Sequence, residues 1–415
     1  MAEVRPLRAL HYNLGAVPSL GAVTAPPYDV IDAELRRELL ERSPHNIVEI
    51  DLPQAPDGGD AYEHAATTLE AWTGEGILSG DEPAIWPLTQ RYTGPDGEGR
   101  ERRGILARVR IEDYGPGGVR PHERTQPGPK EDRLRLTRAT RHNMSPIFAL
   151  HPGDVWNQID SALGEAWGEV NDPDDTVHRI WRVSDAAVHD GVAATLADAE
   201  LLIADGHHRY ETARTYAEEI GGEGPHRYVF MYLVSLDDPG LTVFPTHRLL
   251  TGLTADQYEP LGAGLREQFE IEEVAVDGLD PAGEQGVGVF GYLDSHFKRG
   301  FRLRLRDTAA LDEELAGRSE AYRRLDSVIL EALVLKGILG MTEDDIAAKR
   351  TIAYAKSTAD ALEQVVSERA DCAFLLRPTP VDQVREVAAA GETMPPKSTY
   401  FFPKVLTGLG FNPLS

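Results

Sequence analysis

Hydrophobic and polar positions recur along this chain with two spacings, one helical and one alternating, and each switch between them marks an element. "IDAELRRELLERS" and "GDAYEHAATTLEAWTGEG" carry apolar residues at helical spacing and predict two amphipathic helices, with "HNIVEIDLP" between them reading as a strand. "PAIWPLTQRYT" and "RGILARVRIEDY" flank "GPDGEGRE", whose Gly, Pro and Asp supply turn chemistry, so together they predict a hairpin. The opening "RALHYNLGAVPSLGAVTAPPYDVI" is rich in Pro and Gly and predicts strands and turns. From His122 a polar loop, a basic helix and a hydrophobic strand follow in order in "HERTQPGPKEDRLRLTRATRHNMSPIFAL". "AELLIAD" is a continuous apolar run suited to a buried strand, and "HHRYETARTYAEEI" returns to helical spacing immediately after it.

Further along, "PHRYVFMYLVSLDDPGLTVFPTHRLL" holds two strand-like runs and "GVGVFGYLDSHFKRGFRLRLR" two more, with the helix-like "TADQYEPLGAGLREQFEIEEV" between the pairs. "SVILEALVLKGILG" and "STADALEQVVSERA" predict late helices, "CAFLLRP" a strand, and "GETMPPKSTYFFPKVLTGLG" a polar loop. This order predicts a mixed α/β (α+β) fold without internal repeats. Two regions are expected: an α/β core over 1–250, and a second α+β region over 251–415 whose loop 391–405 returns to the functional site.

Composition narrows the partners. The 42 basic and 68 acidic residues leave a formal net charge of −26, a surface that repels nucleic-acid backbones at long range. No stretch approaches the roughly 20 uninterrupted apolar residues of a membrane helix, and "MAEVRPLRALHYN" lacks the apolar core of a signal peptide, so a cytoplasmic location is expected. Cys372 is the one cysteine, which excludes an internal disulfide and a cysteine-built zinc site; it reads as a small buried hydrophobe on a strand.

Candidate chemistry gathers in a few short stretches. In "LLIADGHHRYETART" only Asp205 and Gly206 separate the strand from the helix, so a sharp turn delivers free N–H groups and a positive dipole end to one point. Arg209 adds a forked cation there. His207 and His208 can donate hydrogen bonds or exchange protons, and Asp205 can orient an imidazole or hold a divalent cation through water. The alternative is an Asp-capped helix followed by surface histidines. "PHERTQPGPKEDR" offers His122, Glu123, Lys130, Asp132 and Arg133, a carboxylate among cations that suits phosphoryl chemistry or, equally, a solvated charged loop.

"GETMPPKST" nearly fits a phosphate-binding loop from Gly391 to Lys397 and Ser398, but Pro396 stands where the second glycine belongs and supplies no N–H. A P-loop reading is therefore rejected. What remains is a loop with Lys397, Ser398, Thr399, Tyr400 and Lys404, furnished for phosphate by another geometry. "APPYDVI" places Asp29 after two prolines, and "FPTHRLL" repeats the His-Arg pairing at His247 and Arg248.

Taken together, "APPYDVI", "HERTQPGPKEDR", "NMSPIF", "ADGHHRYETA", "FPTHRLL" and "MPPKSTYFFPK" resemble the signature blocks of domain-of-unknown-function family 1015, and they run from one end of the chain to the other. The "DGHHR" block is also similar to the Asp-Gly-His-x-Arg element of the ParB/sulfiredoxin-like superfamily, which includes the archaeal free-serine kinase and the CTP-binding ParB proteins. The resemblance implies a ParB/sulfiredoxin-like nucleotide-binding core, elaborated by additional α/β layers, with this turn at the nucleotide phosphates. The family's association with phosphorylated-serine metabolism points to serine or phosphoserine.

The expectation that follows is a phosphoryl-handling enzyme, foremost a kinase of free serine using Mg2+ and a nucleotide (ATP, ADP or CTP). Gly206, Arg209, Lys130, Arg133, His247, Arg248, Lys397, Ser398, Thr399 and Lys404 would hold phosphates. Glu123 or Asp29 would take the hydroxyl proton, His207, His208 or Asp205 would act beside them, and His122, Asp132, Asn143 and Ser145 would support the site. Two other readings use the same residues: a nucleotide-independent phosphatase of phosphoserine, and a regulator that binds a nucleotide or phosphometabolite without turnover. A ParB-type DNA role is disfavoured by the charge and by the lack of a helix-turn-helix pattern.

Overall fold

The computed structural model describes residues 2–415 apart from 56, 57, 124, 126, 349 and 350. The chain divides into two compact units: Met1–Pro121, Thr125–Leu241 and Pro403–Ser415 build unit 1, while His122–Arg124 and Thr242–Phe402 build unit 2. Both are mixed α/β.

Unit 1 is organised by a nine-stranded sheet. Across it run Val119–Arg120, Leu201–Asp205, Ile147–His151, Tyr228–Ser235, Gly99–Arg110, Trp86–Thr93, Val177–Ile180 and Gly168–Asn171, with Val4–Arg5 also pairing with Gly99–Arg110. Tyr228–Ser235 is buried along almost its whole length, parallel to Ile147–His151 and antiparallel to Gly99–Arg110. A strand covered on both faces needs a near-continuous apolar run, and "YVFMYLVS" is one. The expected hairpin is present, with Trp86 opposite Leu106 and Thr93 opposite Gly99. Ile105, Ile147, Ile203 and Leu233 pack against Tyr210 and Ala213 of the helix His207–Ile220, which fixes that helix to the sheet.

Unit 2 carries a six-stranded antiparallel sheet in the order Phe269–Val274, Gly300–Leu305, Val289–Asp294, Cys372–Leu375, His247–Leu250 and Ile352–Ala355. Ala361 and Val365 of the helix Thr358–Val366 join Leu249, Leu293 and Leu375 in its core. Cys372 is fully buried on its strand, as its surroundings in the sequence suggest, and burial pushes its thiol pKa up.

Three expectations need correction. "HNIVEIDLP" is buried but helical over Val48–Asp51. The Asn46 side chain turns the backbone there, accepting from the Val48 N–H at 3.1 Å and donating to the Ala22 and Thr24 carbonyls. Such a local cap overrides the strand signal of a short apolar run. The opening stretch is not only strands and turns, since Ser19 caps a short helix, Leu20–Val23. The C-terminal loop contributes a strand, Tyr400–Phe402, which pairs with Thr242–Phe244. The rejected P-loop stays rejected: Gly391, at φ +73°, follows the helix Val381–Ala389 rather than a strand. Among the described residues no helix is long and apolar enough to cross a membrane.

Candidate functional site

The strand Leu201–Asp205 is buried until its last residue, and its register against Ile147–His151 shifts between Ile203 and Asp205. Such a bulge re-aims the terminal side chain. Gly206 follows with φ +96° and ψ 30°, a left-handed conformation, and the helix begins at His207. The left-handed backbone favours glycine, and an added Cβ would stand 2.9 Å from Arg209 Nε, so the Arg209 side chain would have to shift to admit one. The expected strand, turn and helix are all in place.

Asp205 is gripped from two sides. Its Oδ2 accepts from Arg209 Nη2 at 2.9 Å and its Oδ1 from Lys404 Nζ at 3.0 Å. Burial alone would raise its pKa, but the Lys404 and Arg209 cations outweigh burial and hold it well below the usual carboxylate range. Arg209 also donates to the Pro146 carbonyl. His207 is buried and His208 half-buried at the start of the helix.

Lys404 reaches Asp205 because its backbone is held by residues that sequence reasoning missed. Gln90, fully buried, donates to the Lys404 carbonyl at 3.0 Å and accepts from Arg102 Nε at 3.0 Å; Arg102 in turn bonds the Pro403 carbonyl and lies over the Phe148 ring. His178 continues the chain, contacting Gln90 at 3.2 Å through Nδ1 and Asp172 at 2.8 Å through Nε2. Gln90 and Arg102 stand at polar positions of the hairpin strands with no sequence signal to mark them; the register buries both, and buried polar groups of this kind are held by hydrogen bonds.

Beside the turn lies a cavity of about 40 Å³, lined among others by Tyr28, Asp51, Arg133, Asn143, Ser145 and Arg209. That is room for about three waters or one small polar group. Arg133 is buried, donates to Asp51 Oδ1 at 3.0 Å and to the Asp51 carbonyl at 2.8 Å, contacts Asp132 at 2.7 Å, and stacks over Tyr28. Asp51 Oδ2 is buried with no hydrogen-bond partner among the described residues. Burial raises the Asp51 pKa, opposed by the Arg133 and Arg209 charges. Asp51 ends the short helix Val48–Asp51, whose apolar run alone predicts a strand.

The other sequence candidates are distributed as follows. In unit 1, Asp29 is exposed on the short turn Tyr28–Val30, Lys130 is half-buried, Asp132 accepts from the Tyr62 hydroxyl at 2.8 Å, Asn143 accepts from the Phe230 N–H and from Asn412, and Ser145 bonds Thr407. In unit 2, His122 meets Thr399 at 2.8 Å, Glu123 bridges to Met394, and Ser398 bonds Ser327 and the Pro395 carbonyl. Arg248 is buried, stacked on Tyr354 and bonded to the Thr246 and Pro396 carbonyls. Lys397 is exposed at φ +60° in the loop these contacts tie down. His247 is fully buried, and its Nδ1 accepts from the Leu376 N–H at 3.1 Å, so it serves the fold as a neutral acceptor.

Among the described residues no group of three His, Cys, Asp or Glu gathers to hold a metal ion. Asp205 does not fit that task, since both of its oxygens already face cations.

A family model described as "Protein of unknown function (DUF1015)" matches residues 4–328. No curated protein matches the chain. Among solved structures, a conserved hypothetical protein from Pyrococcus furiosus is 15% identical over 70% of this chain and 92% of its own, with a TM-score of 0.36. A free serine kinase in complex with AMP is 16% identical over 72% of this chain and 88% of its own, with a TM-score of 0.37. SbnI with a C-terminal truncation, from Staphylococcus aureus, is 12% identical over 73% of this chain and 85% of its own, with a TM-score of 0.38.

Proposed function

The chain belongs to the DUF1015 family, and from that premise we propose that it is a phosphoryl-transfer enzyme acting on a small molecule, with free serine as acceptor and a nucleotide as donor. In this reading unit 1 is a ParB/sulfiredoxin-like nucleotide-binding core, and the turn at Gly206 receives the nucleotide phosphates. The observation that carries the reading is that Asp51, whose Oδ2 is buried without a hydrogen-bond partner among the described residues, lines the same small cavity as Arg133 and Arg209. A base with a raised pKa and two fixed cations are what transfer to an alcohol requires.

The cavity has room for the serine hydroxymethyl group alone, so the nucleotide phosphates lie outside it at the Gly206 turn. Asp51 takes the hydroxyl proton as the serine oxygen forms its bond to the terminal phosphorus, and the bond from that phosphorus to the nucleotide's bridging oxygen breaks. Arg209 and Arg133 stabilise the charge on the transferring group. Asp205 holds Arg209 and Lys404 in place. Mg2+ enters with the nucleotide as part of the substrate, because a small hard cation keeps most of its waters and binds through phosphates. Asp51 replaces Asp29 as the base in unit 1, since the Asp29 carboxyl stands in solvent on its turn.

Phosphorus NMR of the purified protein with Mg2+ and serine, supplied with ATP, ADP or CTP in turn, tests the proposal. Phosphoserine is the expected product, and Asp51→Asn should lower turnover at least about 100-fold while nucleotide binding persists. Phosphate release from phosphoserine without nucleotide would instead establish a hydrolase, and binding without turnover a sensor; either result overturns the kinase.

A further inference from the structure

Unit 2 holds a cleft of about 1090 Å³ that the proposed reaction does not use. One wall is a face of the helix Ala255–Gln268, where Tyr258, Gly262 and Arg266 recur at helical spacing. The floor is a corner of the antiparallel sheet. Register sets Phe301 opposite Tyr292, so these two rings form a row in the lining with centroids 6.4 Å apart, and the fully buried Phe374 packs behind Tyr292 at 5.0 Å. Ile271 pairs with Leu303 beside this row and is 38% exposed, and Phe297 stands at the mouth 67% exposed. An apolar surface gathered in this way, rather than scattered singly, marks a binding site.

Charge decides what it binds. Asp294 is buried; its Oδ2 accepts from the Tyr292 hydroxyl at 2.9 Å, and its Oδ1 from the backbone N–H groups of His296 and Phe297 at 2.8 and 3.0 Å. Asp371 is half-buried and is fixed by the Leu253 N–H at 2.7 Å and by the Tyr258 hydroxyl. Every partner named here is a neutral donor, so each carboxylate is oriented without being neutralised. Lys298 is spent on Glu368 at 3.1 Å, which leaves Glu259, Asp294 and Asp371 against Arg266 in the lining.

Aromatic faces attract cations through their quadrupole, carboxylates add longer-range attraction, and an apolar floor takes up a hydrocarbon body. We propose that this cleft binds an organic cation, an amine or quaternary ammonium group carried on an apolar body. The ammonium sits toward Asp294 and Asp371, and the body lies over Phe301, Leu303 and Ile271. None of these residues belongs to unit 1, so the inference stands or falls apart from the kinase.

Calorimetric titration of the full chain with benzyltrimethylammonium, benzyl alcohol and benzenesulfonate tests it. Saturable binding of the cation is expected, at least about tenfold tighter than the alcohol, with none for the sulfonate. Phe297→Ala should weaken the cation several-fold and, because Phe297 is exposed, leave the circular dichroism unchanged. Asp371→Asn keeps the shape and removes the charge, and should weaken the cation about tenfold. Equal affinity for all three probes, no saturable heat with the cation, or variants that bind as the parent does would overturn the proposal. So would a dimer in sedimentation that Phe297→Ala dissolves, which would make the cleft a self-association face.

Discussion

At the scale of single residues, burial has set three histidines, His142, His151 and His247, against acid, the last two most strongly. His151 is fully buried at the end of its strand, neither ring nitrogen makes a well-formed hydrogen bond among the described residues, and burial pushes its pKa down to about 4. His247 is buried likewise, with its pKa also pushed down to about 4. The sign follows from which state binds the proton first. The folded pKa lies below the ordinary value near 6.5, so the unfolded chain protonates before the folded one. The stability these groups allow is whole above about pH 6.5 and drains away as pH falls toward about 4. Between pH 6.5 and 5 His151 and His247 should each cost about 1.5 kcal/mol, the slope rising to about 1.4 kcal/mol per unit of pH as the unfolded histidine protonates. Urea unfolding at the two pH values reads this directly, and His151→Leu should remove its own share of the loss, leaving those of His247 and His142. An unchanged slope in that variant would remove His151 from the account.

At the scale of elements, two short segments with left-handed backbone should respond to substitution with opposite signs. Gly206→Ala places a Cβ against Arg209 and forces φ +96° on a residue that resists it, so it should cost about 2 kcal/mol and loosen Arg209 from Asp205. Lys397→Gly relieves φ +60° and should stabilise by about 1 kcal/mol, provided the Arg248 and Ser398 contacts hold the loop as before. Denaturant midpoints of the two variants check both signs. The turn at Gly206 was legible in the sequence because a continuous apolar run, a glycine and a 3.6-residue period stand next to each other. Asp51 was not, because a four-residue helical turn buried on most sides has the same apolar run as a strand, and the Asn46 side chain that caps it is held by the Ala22 and Thr24 carbonyls more than twenty positions away. Lys404 was recognised as a cation, but its partner Asp205 lies 199 positions earlier, and no local pattern encodes that pairing. Gln90 and Arg102 looked like ordinary polar positions on a hairpin. Only the register that buries both shows that they brace the Pro403–Lys404 backbone.

At the scale of the whole molecule, the chain crosses from one unit to the other and back, and each unit has an apolar core of its own. Separate cores permit separate unfolding. The tryptophans allow the two to be told apart, since Trp72, Trp86, Trp156, Trp167 and Trp181 all belong to unit 1. Tryptophan emission therefore follows unit 1, whereas far-ultraviolet circular dichroism follows both. A ligand that binds only the folded form stabilises by mass action, about 2.7 kcal/mol at 100 times its Kd. ATP with Mg2+ should accordingly raise the fluorescence midpoint. Benzyltrimethylammonium should move a transition seen by circular dichroism and leave the fluorescence midpoint where it was. If ATP moves only the transition that fluorescence does not see, the nucleotide site lies outside unit 1, and the roles assigned to Asp51, Arg133 and Arg209 fail with it. If both probes report one transition that either ligand shifts equally, the two cores unfold as one, and the location of each site must be read from Asp51→Asn and Phe297→Ala instead.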